Sequence, residues 1–461
     1  MTGHTGSHTL WTLVGIAVRV FYRIERTGPS LPDGPLLLVA NHPNTLLDPA
    51  VIQTTTERPI RFLAKSTLFE RHILSPLIRR SGAIPVYRRM DAGVDTSRNA
   101  EMFAAVEQSL TNGHAICLFP EGISHLSGHL EPLRTGAARM ALGSAANGQS
   151  VSIVPVGLNF DRLPMFRSRV TAVFGRPFSA EDLVTSYRKD PPAAAQALTD
   201  RIARRLRTLL IEADPKRDLQ LVDRIDRLYS SARGVSRAGS DRVGRRRLIA
   251  YGIERLRRDE PVQYEEILDE LHRYDTQLQR LGLRESDLDR RMPAREVVAF
   301  GLREGSRALV LGPLALLGFV CFAAPYYLTW GISRQAPDLQ SRAAWQVVAG
   351  TLVYGVWIAG LATLGGVTSG RATGVALAGG LCVLAFVGLT AFEREAAVIK
   401  LVRAFLATRQ TPLRARASLR RQRAALATVL DRVKEWLDEQ EPATGPSADR
   451  PVRRIIKSRS Y

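Results

Sequence analysis

Three apolar segments follow one another in this 461-residue chain, at 308–332, 344–367 and 372–392. Each reaches the roughly 20 residues that a helix needs to cross a hydrocarbon core about 30 Å thick. Lipid offers no partner for backbone N–H and C=O groups, so such runs satisfy themselves as helices. The sequence therefore predicts an integral membrane protein whose other parts fold in water beside a bilayer. Pro325, with Tyr326, Tyr327 and Trp330, interrupts the first segment and gives its second half the composition of an interface. The chain on both sides of the three segments is rich in Arg, and the positive-inside rule puts both flanks in the cytoplasm. That favours a re-entrant first segment and a spanning hairpin of the other two over three crossings. The loop with Arg334 and Arg342 is then cytoplasmic as well.

Charge is the next constraint. The formal net charge is +20, which attracts polyanions, either nucleic acid or anionic lipid. The basic stretch 181–306 is poor in aromatic residues and has no nucleic-acid recognition motif, so anionic membrane lipids are the expected partner and nucleic acid is not. Residues 198–213 and 262–283 carry apolar residues three and four apart and read as helices. The Arg-rich run 236–247 between them reads as a loop. Cys117, Cys321 and Cys382 are odd in number and sit in apolar runs. They read as buried free thiols in a reducing compartment, not as a disulfide framework or a zinc site.

Residues 10–24 read as an amphipathic helix with Trp11, Phe21 and Tyr22 at its margins. It is too short to span and suits an anchor lying in the membrane plane. It has no small-residue cleavage site and runs straight into Arg23, unlike a signal peptide. From about 33 to 180 short apolar runs at 35–40, 60–64, 83–87, 115–119, 152–158 and 171–174 are bounded by turn residues and separated by helical stretches. That is the pattern of an α/β domain with a largely buried sheet. The tail at 413–437 places Leu419, Leu426, Leu430, Val433 and Leu437 on one stripe, as in a basic amphipathic or coiled-coil-like helix. Residues beyond 441 read as disordered. The expected organisation is an N-terminal amphipathic helix at 1–30, an α/β domain at 31–215 and a charged helical subdomain at 216–306. A membrane domain at 307–393 and a basic tail at 394–461 follow.

Four segments carry chemistry. The first, Asn41-His42-Pro43-Asn44-Thr45-Leu46-Leu47-Asp48, follows an apolar strand. A carboxylate one short turn after a His can hold one ring nitrogen protonated and leave the other free as a base. Taken alone, such a pair is more often a hydrogen-bonded loop. The second, Gly82-Ala83-Ile84-Pro85-Val86-Tyr87-Arg88-Arg89, delivers two guanidinium groups suited to phosphate. The third, Phe119-Pro120-Glu121-Gly122-Ile123-Ser124-His125, has a Gly that permits close backbone approach and a Glu able to bind hydroxyls. The fourth, Ile153-Val154-Pro155-Val156-Gly157, reads on its own as a core strand.

In this order the four segments resemble the motifs of the glycerolipid acyltransferases, the glycerol-3-phosphate and 1-acylglycerol-3-phosphate acyltransferase superfamily. The resemblance covers roughly residues 30–180. It implies an α/β acyltransferase domain with a mixed sheet, followed by a helical subdomain and C-terminal transmembrane helices. It also implies that His42 is the general base and Asp48 its orienter. Arg88 would bind the acceptor phosphate, with Arg89 and Lys65 beside it, and Glu121, Gly122, Ser124 and Pro155 would complete the substrate site. Two departures stand out. Five residues separate His42 from Asp48 where the family has four, and Ile123-Ser124-His125 replaces the Thr-Arg-Ser that follows the family's Gly. Arg134 is a candidate replacement for the missing charge.

The resemblance thus implies acyl transfer from acyl-CoA or acyl-ACP to glycerol-3-phosphate or dihydroxyacetone phosphate in phospholipid biosynthesis, with no cofactor or metal. The alternatives are a lysophospholipid acyltransferase and, from a different class, a catalytically silent membrane scaffold. The catalytic domain is expected on the cytoplasmic face, at the inner membrane if the chain is bacterial.

Overall fold

The computed structural model describes residues 3–70, 75–87, 98–125, 127–214, 218–236, 239–289 and 294–440. A helix, α1 (Gly3–Phe21), precedes strands β1 (Arg23–Thr27) and β2 (Leu36–Ala40). Helix α2 (Leu47–Thr54), strand β3 (Ile60–Lys65), helix α3 (Ser75–Arg80) and strand β4 (Ile84–Val86) follow. Next come α4 (Asn99–Thr111), β5 (Ala115–Leu118), α5 (Gly136–Ala146), β6 (Ser152–Phe160), β7 (Arg169–Phe174), α6 (Val184–Lys189) and α7 (Pro191–Arg207). The seven strands form one sheet in the order β1-β7-β6-β2-β5-β3-β4. Only β6 and β7 pair antiparallel, because a short connection joins them directly. The sheet is mixed, as expected.

All five residues of β2 are fully buried. Successive side chains of a strand point to opposite faces, so a run without polar alternation needs cover on both. Leu37 and Val39 face one core with Ile116, Ile153 and helices α4, α5 and α7. Leu36, Leu38 and Ala40 face a second core with Cys117, Val154 and helices α1 and α2. Each fully buried Leu or Val contributes about 1.5–3 kcal/mol. The helix expected over 10–24 ends at Phe21, and Arg23–Thr27 instead pairs with β7 as an edge strand. Helix α1 buries Val18 and Phe21 on the sheet and leaves Leu13, Ile16 and Val20 exposed along another side.

A helical bundle follows, made of α8 (Leu219–Arg233), α9 (Gly239–Asp259), α10 (Pro261–Arg280) and α11 (Glu285–Leu288). After it come α12 (Ala294–Ser333), α13 (Leu339–Ser369), α14 (Arg371–Gln410) and α15 (Leu413–Gln440). The stripe read from the tail sequence closes the bundle: Leu419 and Leu426 are buried with Val222, Leu228, Leu271 and Leu278. Residues 239–247 of the Arg-rich run expected as a loop form the first half of α9. Arg is a good helix former, and here its charges are met by acids of neighbouring elements. Arg245 pairs with Asp226 at 2.7 Å, and Arg242 and Arg246 reach Asp161 at the end of β6 at 2.9 and 2.5 Å.

Helices α12, α13 and α14 contain windows long and apolar enough to cross a membrane, at Leu311–Ser333, Ser341–Ser369 and Arg371–Ala391. The break expected at Pro325 is not there. Helix α12 runs unbroken through Pro313 and Pro325, and the Cys321 carbonyl, which Pro325 leaves without its helical N–H donor, accepts the Trp357 Nε1–H at 3.1 Å. Helix α13 starts against the sheet domain, with Ala343 and Ala344 buried in the cluster of Leu36 and Leu38. Helix α14 ends beside the bundle, where Gly282 lies against Ala407. Both outer ends of the α13–α14 hairpin therefore lie with the other domains, and Gly370 marks the far turn. Near that turn Gly366 and Gly374 let the two backbones touch. Of the three free thiols, only Cys117 is fully buried. Cys382 is exposed, because the apolar run that suggested burial is the surface of a membrane-type helix.

Candidate active site

Strands β2, β5, β3 and β4 run parallel, so Ala40, Leu118, Lys65 and Val86 end at one edge of the sheet. In α/β sheets ligands bind at this carboxyl edge. Just past β2, the Asn41 side chain donates to the Leu158 carbonyl at 3.1 Å and accepts its N–H at 2.7 Å. The side chain thus continues the β2–β6 ladder while the main chain turns away and leaves His42 at the edge.

Asp48 lies in the first turn of α2 and is fully buried. Its Oδ2 is 2.8 Å from His42 Nδ1 and also accepts the Asn44 N–H at 2.7 Å. Between His42 and Asp48 the chain passes through Thr45 at φ +36°, a conformation that costs an L-residue about 1–2 kcal/mol. Buried Asn44 secures this loop by donating to the Tyr22 hydroxyl at 3.0 Å. Burial pushes the Asp48 carboxyl above the usual aspartate range, and the His42 hydrogen bond partly offsets it. The His42 ring stacks on Phe119 with centroids 4.0 Å apart and planes 14° off parallel. With Nδ1 on Asp48 and one face on Phe119, the orientation of Nε2 is set.

The structure gives Glu121 a role that the sequence did not suggest. Its Oε1 accepts the backbone N–H of His42 at 2.9 Å. Its Oε2 accepts the backbone N–H of Glu131 at 3.0 Å and contacts His125 Nε2. The residue is 3% exposed, and both carboxylate oxygens are engaged by the protein, so Glu121 braces the loop that carries His42. His125, which received no role from sequence, completes the brace by donating its backbone N–H to the His42 carbonyl at 3.3 Å. Its place four residues after Glu121 was the available signal.

Gly122 has φ +75°, and a Cβ there would stand 2.6 Å from Arg134 Nε. The Arg134 guanidinium thus lies on the third motif, held by a bond from its backbone N–H to the Pro120 carbonyl at 2.8 Å. Lys65 ends β3 at the same edge, half-buried. Ser124 is half-buried in the loop between Glu121 and His125. Pro155 is a core residue in the middle of β6, opposite Val39, and its ring packs on Gly175. Arg88 and Arg89 fall outside the described residues.

A cleft of about 1370 Å³ opens from His42, Glu121 and His125 and runs past Leu158 to Leu271 on the helical bundle. Asp161, on its wall, ties the sheet to the bundle. Burial works against its charge, but Arg246 and Arg242 outweigh that and hold its carboxyl below the usual range.

Residues 22–159 match the model of the acyltransferase family. This chain carries an acyltransferase domain. Its relatives include an uncharacterized acyltransferase of Schizosaccharomyces pombe, 28% identical over 261 residues, which are 56% of this chain and 38% of that protein. Glycerol-3-phosphate O-acyltransferase 1 of Saccharomyces cerevisiae is 34% identical over 133 residues, 28% of this chain and 18% of that one. The chain therefore spans well under half the length of the curated relatives it matches. Among solved structures, the 1-acyl-sn-glycerophosphate acyltransferase of Thermotoga maritima aligns at 15% identity and a TM-score of 0.30. It covers 43% of this chain and 79% of that one. The acyltransferase match ends at 159, so β7, the helical bundle and the membrane helices lie beyond the family's matched span.

Proposed function

We propose that this chain is a membrane-bound O-acyltransferase that moves an acyl group from a thioester, acyl-CoA or acyl-ACP, to a hydroxyl of glycerol-3-phosphate or dihydroxyacetone phosphate in phospholipid synthesis. One observation carries the reading: His42 Nδ1 lies on the buried Asp48 carboxylate, at the carboxyl edge of the sheet. That contact fixes the tautomer and leaves Nε2 as the base. Nε2 takes the proton of the acceptor hydroxyl as its oxygen attacks the thioester carbonyl. Asp48 stabilises the imidazolium, and backbone N–H groups near Gly122 are candidate donors to the oxyanion. The tetrahedral intermediate collapses to the ester and a thiolate, which regains the proton from His42. The acceptor is itself the nucleophile, so no acyl-enzyme is needed.

Arg88, with its neighbour Arg89, is assigned to the acceptor phosphate, and Lys65 and Arg134 supply further charge at the edge where β3 and the third motif end. Two curated relatives carry the name glycerol-3-phosphate O-acyltransferase, which supports this acceptor class. The α13–α14 hairpin spans the bilayer, its basic flanks hold the acyltransferase domain and bundle on the cytoplasmic side, and the exposed Leu13, Ile16 and Val20 of α1 dip into that face. An acceptor panel with one labelled acyl-CoA tests the proposal. Label is expected in the acylated product of glycerol-3-phosphate or dihydroxyacetone phosphate. Label only on lysophosphatidate or another lysophospholipid would move the acceptor to the lipid class. Vesicle binding without turnover on any acceptor would leave a scaffold.

A further inference from the structure

The turn between α12 and α13 holds a second cavity, of about 540 Å³, and none of the residues around His42 lines it. Its walls include Trp330, Ser333, Arg334, Asp338 and Arg342. The Arg334 guanidinium lies over the Trp330 ring, 4.7 Å from its centroid. Arg342 is half-buried, and its Nε is buried without a hydrogen-bond partner. Among the described residues neither guanidinium has a carboxylate within ion-pair distance. Asp338, the acid in the cavity wall, instead caps α13 by accepting the Ser341 N–H at 2.6 Å. Elsewhere in this chain half-buried or buried arginines, such as Arg224, Arg242 and Arg423, are paired with acids. Two planar cations on one cavity, neither of them ion-paired with the Asp338 in its wall, suit a phosphate from outside.

The position says which phosphate. Tyr326, Tyr327, Trp330 and Trp345 are exposed around this end of α12 and α13, beyond the exposed apolar surface of Phe319, Val320, Leu352 and Val356. Such a belt sits at the headgroup level of a bilayer, and the cavity lies on its watery side, where lipid phosphates are. We propose that this cavity binds the phosphate of an anionic phospholipid at the bilayer interface, held by Arg334 and Arg342 over Trp330. Ala343 and Ala344, adjoining Arg342, are buried in the same cluster as Leu47 and Val51 of α2, the helix that carries Asp48. A lipid seated here fixes the acyltransferase domain against the membrane.

The test uses the full-length protein in detergent and native mass spectrometry with phosphatidylglycerol and phosphatidylcholine. The wild type is expected to retain phosphatidylglycerol preferentially. R334Q/R342Q should lower that retention roughly tenfold or more, while Arg371→Gln, at the far turn of the hairpin, should keep it. Unchanged retention in folded R334Q/R342Q overturns the proposal, and so does an equal loss in Arg371→Gln, which marks diffuse charge. Displacement of the lipid by millimolar inorganic phosphate overturns the lipid assignment in favour of a soluble anion. If the double variant does not fold, exposed Arg334→Gln carries the test. A several-fold loss supports the site and no change overturns it.

Discussion

Oε1 of Glu121 accepts the backbone N–H of His42 at 2.9 Å, so the third motif grips the first through the main chain of the base. Glu121, which the sequence reads as a substrate ligand, has its other oxygen engaged by the Glu131 N–H and His125, an arrangement suited to positioning the base.

Glu121→Ala leaves buried donors unpaired, at a cost of about 1–3 kcal/mol for each group left unsatisfied. The expected outcome is a lower melting temperature and a kcat reduced tenfold or more, with the acceptor KM nearly unchanged. Glu121→Gln, which keeps an acceptor oxygen for His42, should recover part of the rate. A selective rise in acceptor KM at normal kcat would mean that Glu121 touches substrate after all.

For Asp48 the sign of the pH effect follows from its surroundings. Its carboxyl is raised above the usual range by burial, so ionising it costs stability as pH rises through that raised value. Below the ordinary aspartate range both folded and unfolded chains are protonated and the cost is absent. Asp48→Asn should therefore melt higher than wild type near neutral pH, with the difference fading toward about pH 3. Turnover should fall at least about a hundredfold, as it does when a base loses the carboxylate that sets its tautomer. A lower melting temperature at neutral pH would refute the burial argument.

Gly122 and Arg134 form a coupled pair. A Cβ at Gly122 meets Arg134 Nε at 2.6 Å, on a backbone at φ +75°. Gly122→Ala should displace the guanidinium and raise the acceptor KM several-fold, and Arg134→Ala should do the same. The double variant should be no worse than either alone. Additive effects in steady-state kinetics would separate the two residues.

The readable and unreadable parts of this chain differ in kind. β2 and β5 were legible because fully buried strands leave unbroken apolar runs, and the first motif because it sits directly after one. β1 was not, since Arg-Ile-Glu-Arg-Thr at a sheet edge has no apolar run and its pairing with β7 spans more than a hundred residues. The stripe on α15 was plain, but its partners on α8 and α10 were not, because an amphipathic pattern does not say what covers it. Arg242 and Arg246 looked like a solvated loop for the same reason: Asp161, which meets their charge, is distant in sequence. The brace of Glu121 on a backbone N–H leaves no trace in residue type at all.

Asp161 tests how the bundle is docked. Its carboxylate joins Arg242 and Arg246, which are 5% and 3% exposed, to the end of β6. Removing one partner of a buried pair costs about 3 kcal/mol, so Asp161→Asn should open the joint between sheet and bundle and increase proteolysis there. Because Asp161 is held below the usual carboxylate range, the wild-type joint should hold at neutral pH and loosen as pH falls through that depressed value. Protease resistance equal to wild type at neutral pH would show that apolar packing alone docks the bundle.

The most direct test is the turnover of purified His42→Ala with a labelled acyl thioester and a glycerol phosphate acceptor, with folding checked by its melting curve. A general base at Nε2 predicts a loss of at least about a hundredfold, with little change in the binding of either substrate. A folded variant turning over at close to the wild-type rate would contradict the account.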